Sequence, residues 1–172
     1  MFQGVIFDTY QWQQPLFDGT TATYEMVKRP DSVLILAVKD DKLVILEEHQ
    51  AGRAPFVGIP GGRHDREEET ELDAAKREVT EETGFTFKDW KLLSVKQVEP
   101  KVEHFVYFFL ATNFEKAVEH KSDSGENIRV KLLDFHEVKS LIGQPTTRYV
   151  AQDIIGPAAS LEELLNLPPY RP

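Results

Sequence analysis

No cysteine occurs anywhere in the 172 residues. Disulfides, thiolate metal ligands and cysteine nucleophiles are thereby excluded, and the absence is compatible with a reducing cytoplasm, the expected location. Positive charge is scarce: 20 lysines and arginines stand against 29 aspartates and glutamates, a formal net charge of −9. Sequence-independent binding to nucleic acid depends on cations that displace counterions, so no nucleic-acid partner is expected. An anionic substrate would have to be met by local cations or by bound metal ions. Long hydrophobic runs are missing too. SVLILAV (32–38) and HFVYFFLA (104–111) fall far short of the roughly 20 residues that span a bilayer. The start, MFQGVIFDTYQWQQ, has no basic stretch followed by a long apolar one. No membrane partner is expected. His64, His104 and His136 fit no metal-ligand spacing.

What is present is enough apolar content, 41%, for a core in one domain spanning 1–172. GVIFDTY (4–10) and TATYEMVK (21–28) read as strands around a turn at FDGT (17–20). Residues 1–30 thus form an N-terminal hairpin that can pack on the core or on a partner subunit. SVLILAVKDDKLVILEEH (32–49) reads as two β-branched runs around KDDK, a second hairpin. APFVGIPGG (54–62) is a short extended piece ending in a Pro-Gly-Gly breaker. Strands are expected at 91–98, 104–113 and 127–135, and helices at 135–142, about 148–155 and 160–167, the last with Ser160 and Glu163 placed for a capping box. Many strands, one central helix and terminal helices suggest a mixed α/β or α+β sandwich.

The central helix, Glu71 to Thr83, has signals at both ends. Thr70-x-x-Asp73 is an N-terminal cap, and Gly84 sits where a left-handed residue closes a helix. Leu72, Ala75 and Val79, with Ala74 beside them, form the stripe that faces the core. At about 100° per residue, Glu82 lies about 40° from Glu78, and Glu81 about 60° away on the other side. Like charges so placed repel, and the helix C-terminus disfavours negative charge. Two readings stay open on periodicity alone: a solvated acidic face, relieved in part by Lys76 and Arg77, or a site for hard divalent cations, which favour clustered carboxylates.

The whole stretch GGRHDREEETELDAAKREVTEETGF (61–85) resembles the Nudix box, G-x5-E-x7-R-E-U-x-E-E-x-G-U, with U a bulky apolar residue. Glu69, Arg77, Glu78, Val79, Glu81, Glu82, Gly84 and Phe85 match at every specified position. Gly62 departs, lying seven positions before Glu69 rather than six, and Glu68 stands where most members have glycine. The resemblance implies an α/β Nudix fold, an α/β/α sandwich around a mixed β-sheet. It also implies hydrolysis of a nucleoside diphosphate linked to another group. Mg2+, or Mn2+, would be held by Glu78, Glu81 and Glu82, with Glu81 and Glu82 also catalytic. Gly62, Glu69, Arg77 and Gly84 would be structural, with Arg77 pairing to Glu69.

Further features resemble the ADP-ribose pyrophosphatase branch: the strand ending in Arg29-Pro30, Pro100 sixteen residues after Gly84, and SGENIRVKLLDFHEV (124–138). There an acidic loop residue orients or deprotonates the attacking water; by position this is Glu126, with Glu103 the runner-up. Arg29, Arg53 and Arg63 are candidates to bind phosphates or ribose, since arginine forks onto phosphate oxygens. Phe56 and Tyr10 are candidates to stack on a base, or core residues. The branch implies a small-molecule nucleotide substrate such as ADP-ribose or a nucleotide sugar, and a homodimer. The rival expectations are a nucleoside triphosphate house-cleaning hydrolase and a Nudix-fold sensor that binds nucleotide without cleaving it.

Overall fold

The computed structural model describes residues 1–50, 52–119 and 126–171. Among them, ten strands and four helices follow in the order β1 (Phe2–Gln3), β2 (Asp8–Pro15), β3 (Thr21–Lys28), β4 (Asp31–Lys39), β5 (Lys42–Gln50), β6 (Phe56–Gly58), β7 (Gly61–His64), α1 (Glu71–Thr83), β8 (Phe85–Glu99), β9 (Val102–Ala117), β10 (Glu126–Leu133), α2 (Phe135–Leu141), α3 (Gln152–Ile155) and α4 (Leu161–Leu165). The strands form one mixed sheet, ordered β1-β2-β3-β9-β4-β5-β10, with β6 on β5, β7 on β4 and β8 on β9. β9 runs parallel to both β3 and β4.

Alternation along β4 explains the layering. Val33, Ile35 and Ala37 point to one face, where Ala74, Ala75 and Val79 of α1 pack with Val44, Phe87 and Phe109. Leu36 and Val38 point to the other, against Phe135 and Val138 of α2, Ile155 of α3 and Leu164 of α4. The sheet is therefore covered on both faces, as the α/β/α expectation required. Each buried Val, Leu, Ile or Phe among these contributes about 1.5–3 kcal/mol and each alanine methyl about 0.8 kcal/mol, so the rotation of α1 is set by its apolar stripe. Among the described residues, no helix is long and apolar enough to cross a membrane.

The KDDK hairpin turns on Asp40 and Asp41, both left-handed with φ of 52° and 57°, the geometry that matches strand twist in a two-residue connection. Three expectations change. The first long strand begins at Asp8, not Gly4, because the Gly4 N–H donates to Phe7 O and Asp8 Oδ1, both at 3.1 Å, and turns the chain there. Gly61 and Gly62 do not merely break the chain: they pair with Leu34 and Val33 as part of β7. Finally, α3 starts only at Gln152, since Tyr149 (φ 52°) and Ala151 (φ 47°) are left-handed and interrupt a longer helix.

Candidate active site

α1 is closed at both ends as its sequence dictates. Thr70 Oγ1 accepts from the Asp73 N–H at 3.1 Å, and Gly84 takes φ 72° while its N–H donates to Thr80 O. With Ala74, Ala75 and Val79 turned into the core, Glu78 and Glu82 meet β7 and Glu81 faces the loop that joins β7 to α1. The Gly61 N–H donates to Glu82 Oε2 at 2.9 Å. Gly62 lies directly against Glu78, and a β-carbon there would fall well inside contact distance of the carboxylate. Only glycine leaves room for that acid.

Arg77 organises the cluster. Its Nε and Nη2 donate to the two oxygens of Glu69 at 2.7 and 3.0 Å, a bidentate fork. Its Nη1 donates to Glu78 Oε1 at 2.6 Å and Glu81 Oε2 at 3.2 Å, and Nη2 also reaches Arg63 O at 2.9 Å. The side chains of Arg77, Glu69 and Glu78 are only 13%, 10% and 14% exposed, whereas Glu81 is 46% exposed. Hydrogen bonds to Glu69, Glu78 and Glu81 raise the Arg77 pKa above its ordinary value, and the Arg77 fork lowers that of Glu69. Burial pushes the Glu78 carboxyl upward against the opposing pull of Arg77.

The described acids do not converge into a ready-made cation cage: among the described residues, no three His, Asp or Glu side chains form one. They are instead distributed over Arg77, Arg66 and the Gly61 N–H. The donor set nevertheless suits a hard cation: carboxylates from successive turns beside the glycine-lined strand, with one buried acid whose charge is poorly solvated.

The predicted substrate arginines occupy different places. Arg63 lies on β7 with Nε 3.3 Å from Asp65 Oδ2. Arg29 lies just before β4, its buried Nε unpaired and its guanidinium over Phe7 at 5.8 Å. Arg53 lies in the exposed connection between β5 and β6. Glu126 opens β10 opposite Gln50, and the acidic loop before it falls outside the described residues. Glu103 is occupied elsewhere, accepting from Lys28 Nζ at 2.6 Å and Tyr10 Oη at 2.5 Å, which ties the N-terminal hairpin to β9. Phe56 is buried under the Arg148 guanidinium at 5.1 Å. Two features escaped the sequence reading. Arg66 Nη2 donates to Glu81 Oε1 at 2.9 Å, and a cleft of about 420 Å3 opens beside the start of β10, lined by Glu47, His49, Phe56, Asn127, Arg129 and Thr146. A lone arginine within the acidic run DREEE was the available signal for the first; the second depends on pairing between β5 and β10.

Comparison with known proteins agrees with this arrangement. The family model of the NUDIX domain matches residues 28–154. The ADP-ribose pyrophosphatase of Bacillus subtilis (strain 168) is 30% identical over 137 residues, covering 78% of this chain and 73% of that protein. A solved structure described as an ADP compounds hydrolase superposes with a TM-score of 0.70 at 21% identity, covering 85% of this chain and 80% of its own, and shows the shared fold. The chain belongs to the Nudix family. Within it, the chain sits with the ADP-ribose pyrophosphatase branch and is a Nudix pyrophosphatase, a hydrolase of nucleoside diphosphate derivatives.

Proposed function

We propose that this enzyme hydrolyses the diphosphate linkage of ADP-ribose or a related nucleotide sugar with Mg2+ or Mn2+, giving a nucleoside monophosphate and a sugar phosphate. The observation that carries this reading is the joining of the box to strand β7. Glu78 rests on Gly62, Glu82 on the Gly61 N–H, and the Arg77–Glu69 fork holds the intervening loop in place. The similarity to an ADP-ribose pyrophosphatase supports the substrate class.

A divalent ion bound by Glu78, Glu81 and Glu82 would neutralise the diphosphate and supply an activated water. The chain's own residues do the rest. Glu81 and Glu82 place their carboxylates at the reacting end of the helix. Glu126 is the acid assigned to orient the attacking water and take up its proton. Arg29, Arg53 and Arg63 meet phosphate and ribose oxygens. Gly62, Glu69, Arg77 and Gly84 keep these groups in register.

The N-terminal hairpin supports a homodimer. Phe2, Phe7, Trp12, Phe17 and Tyr24 are all exposed on residues 1–28, an apolar concentration that marks an interaction surface. On this reading residues 1–172 form one Nudix domain with residues 1–30 as its dimerisation element, working in the cytoplasm on a small-molecule nucleotide. A turnover screen with Mg2+ and Mn2+ against ADP-ribose, nucleotide sugars, dinucleoside polyphosphates and nucleoside triphosphates tests the reading. AMP and ribose 5-phosphate from ADP-ribose are expected. Cleavage of triphosphates alone would replace the substrate, and tight binding without turnover would favour a sensor.

A further inference from the structure

Both oxygens of Glu81 are taken by guanidinium groups. Arg77 Nη1 holds Oε2 at 3.2 Å and Arg66 Nη2 holds Oε1 at 2.9 Å. The two arginines are not equivalent. Arg77 is mostly buried and bound at once to Glu69, Glu78 and Arg63 O, so it cannot leave without dismantling the loop. Arg66 is 56% exposed, and among the described residues its ion pair is with Glu81. It stands on a loop one residue longer than the family spacing. That loop turns back through left-handed Glu68 (φ 62°), with the Glu69 N–H donating to Arg66 O at 3.3 Å.

We propose that Arg66 is a displaceable latch: it occupies Glu81 until a divalent ion claims that carboxylate, and it then transfers to a phosphate oxygen of the bound nucleotide. This rests on the metal-dependent reading above. A divalent ion arriving at Glu81 repels the guanidinium and competes for the same lone pairs. The released side chain stays tethered beside the carboxylate cluster, with Asp65 and Glu67 as its chain neighbours. Close to an enzyme of net charge −9, a fork-shaped cation is the group that a diphosphate requires. Arg66 thus opposes metal uptake by the empty enzyme and favours nucleotide uptake by the loaded one.

The two effects have opposite signs, which a merely structural role would not produce. Mn2+ is titrated calorimetrically into the chelator-stripped full chain without nucleotide, for wild type and Arg66→Gln. α,β-Methylene ADP-ribose is then titrated into each protein at saturating Mn2+. Loss of an exposed ion pair should tighten Mn2+ binding about two- to five-fold in the variant. Loss of a charge-assisted phosphate contact should weaken analogue binding about ten-fold. Equal Mn2+ affinities would overturn the latch, and unchanged analogue affinity would overturn the transfer to phosphate. Absence of Mn2+ uptake by both proteins, with the analogue present as well as without it, would remove the metal-dependent reading itself, a result distinct from either.

Discussion

Gly62 and Glu78 share a space that only one side chain can fill. A β-carbon at residue 62 would overlap the Glu78 carboxylate, while one residue earlier the Gly61 N–H binds Glu82 Oε2 at 2.9 Å. Strand β7 and helix α1 therefore interlock through two glycines and two acids, with the strand backbone and the Arg77 guanidinium together setting where Glu78 lies.

The two glycines should fail differently when replaced by alanine. At Gly61 the new β-carbon would meet the Val33 carbonyl oxygen and the Leu34 side chain, so β7 must shift from β4. Gly61→Ala should lower stability by about 2 kcal/mol, within the range for overpacking. At Gly62 the obstacle is a side chain that can rotate away. Gly62→Ala should lose less stability than Gly61→Ala, its cost being a loosened Arg77–Glu78 pair, yet lose at least about ten-fold in kcat as Glu78 is displaced. Urea melts and steady-state kinetics on both variants separate the cases, and equal loss of stability would refute the distinction.

Glu82→Gln probes the other acid at nearly constant volume. The amide oxygen can still accept from the Gly61 N–H, so the fold should survive, whereas the charge offered to a cation is lost. A fall in kcat of about 100-fold or more is expected from removing electrostatic stabilisation at the reacting end. An unchanged rate would take Glu82 out of the chemistry.

Arg77→Lys tests the fork. A lysine cannot reproduce two parallel bonds to Glu69 together with donors to Glu78, Glu81 and Arg63 O. Glu69 and Glu78 would be left buried and incompletely paired, at a cost of about 3 kcal/mol. Chemical denaturation should show the shift even in the absence of metal. A variant as stable as wild type would mean that the fork holds nothing in place.

Glu68 is strained where its neighbours are not. Its φ of 62° is left-handed, a conformation that costs a side-chain-bearing residue about 1 kcal/mol or more. This accounts physically for the glycine usual at that place in the family's motif. Glu68→Gly should raise the urea midpoint, by an amount equivalent to at most about 1 kcal/mol of stability, reduced by the greater freedom of glycine in the unfolded chain. A lower midpoint would show that the Glu68 side chain contributes more than its backbone costs.

The helix and its acids were legible because each signal was local. Thr70 and Gly84 bound the helix, Ala74, Ala75 and Val79 fix its rotation, and the Glu78, Glu81 and Glu82 spacing follows. Arg77 with Glu69 was legible through the motif. What the sequence concealed depends on pairing between distant segments. Pro60-Gly61-Gly62 looks like a break, and only its ladder to Val33 and Leu34 on β4 makes it a strand. Arg66 is one charge in a charged run until the turn through Glu68 carries it to Glu81. Residues 4–7 have strand-like composition, but Gly4 bends to Phe7 and Asp8 and delays the strand. The 148–155 helix was shortened by two left-handed residues that no propensity foretells.

His104 is almost fully buried on β9, with Nε2 3.0 Å from Ser32 Oγ. Burial, reinforced by the charge of Arg29 and only partly opposed by Asp31, lowers its pKa below the ordinary imidazole value. In the unfolded chain the imidazole titrates near about 6.5. Between that pH and the lower folded-state value, the unfolded chain therefore binds a proton that the folded chain refuses. Stability should be fully present above about pH 6.5 and should fall as the medium is acidified through this window, by the linkage relation. Replacing His104 by glutamine keeps a polar partner for Ser32 and removes the titration. Urea unfolding at pH 8, 7, 6 and 5 should then show a shallower decline in His104→Gln than in wild type, whatever constant offset the substitution introduces. Parallel curves for the two proteins would mean that His104 carries no pH-dependent part of the stability.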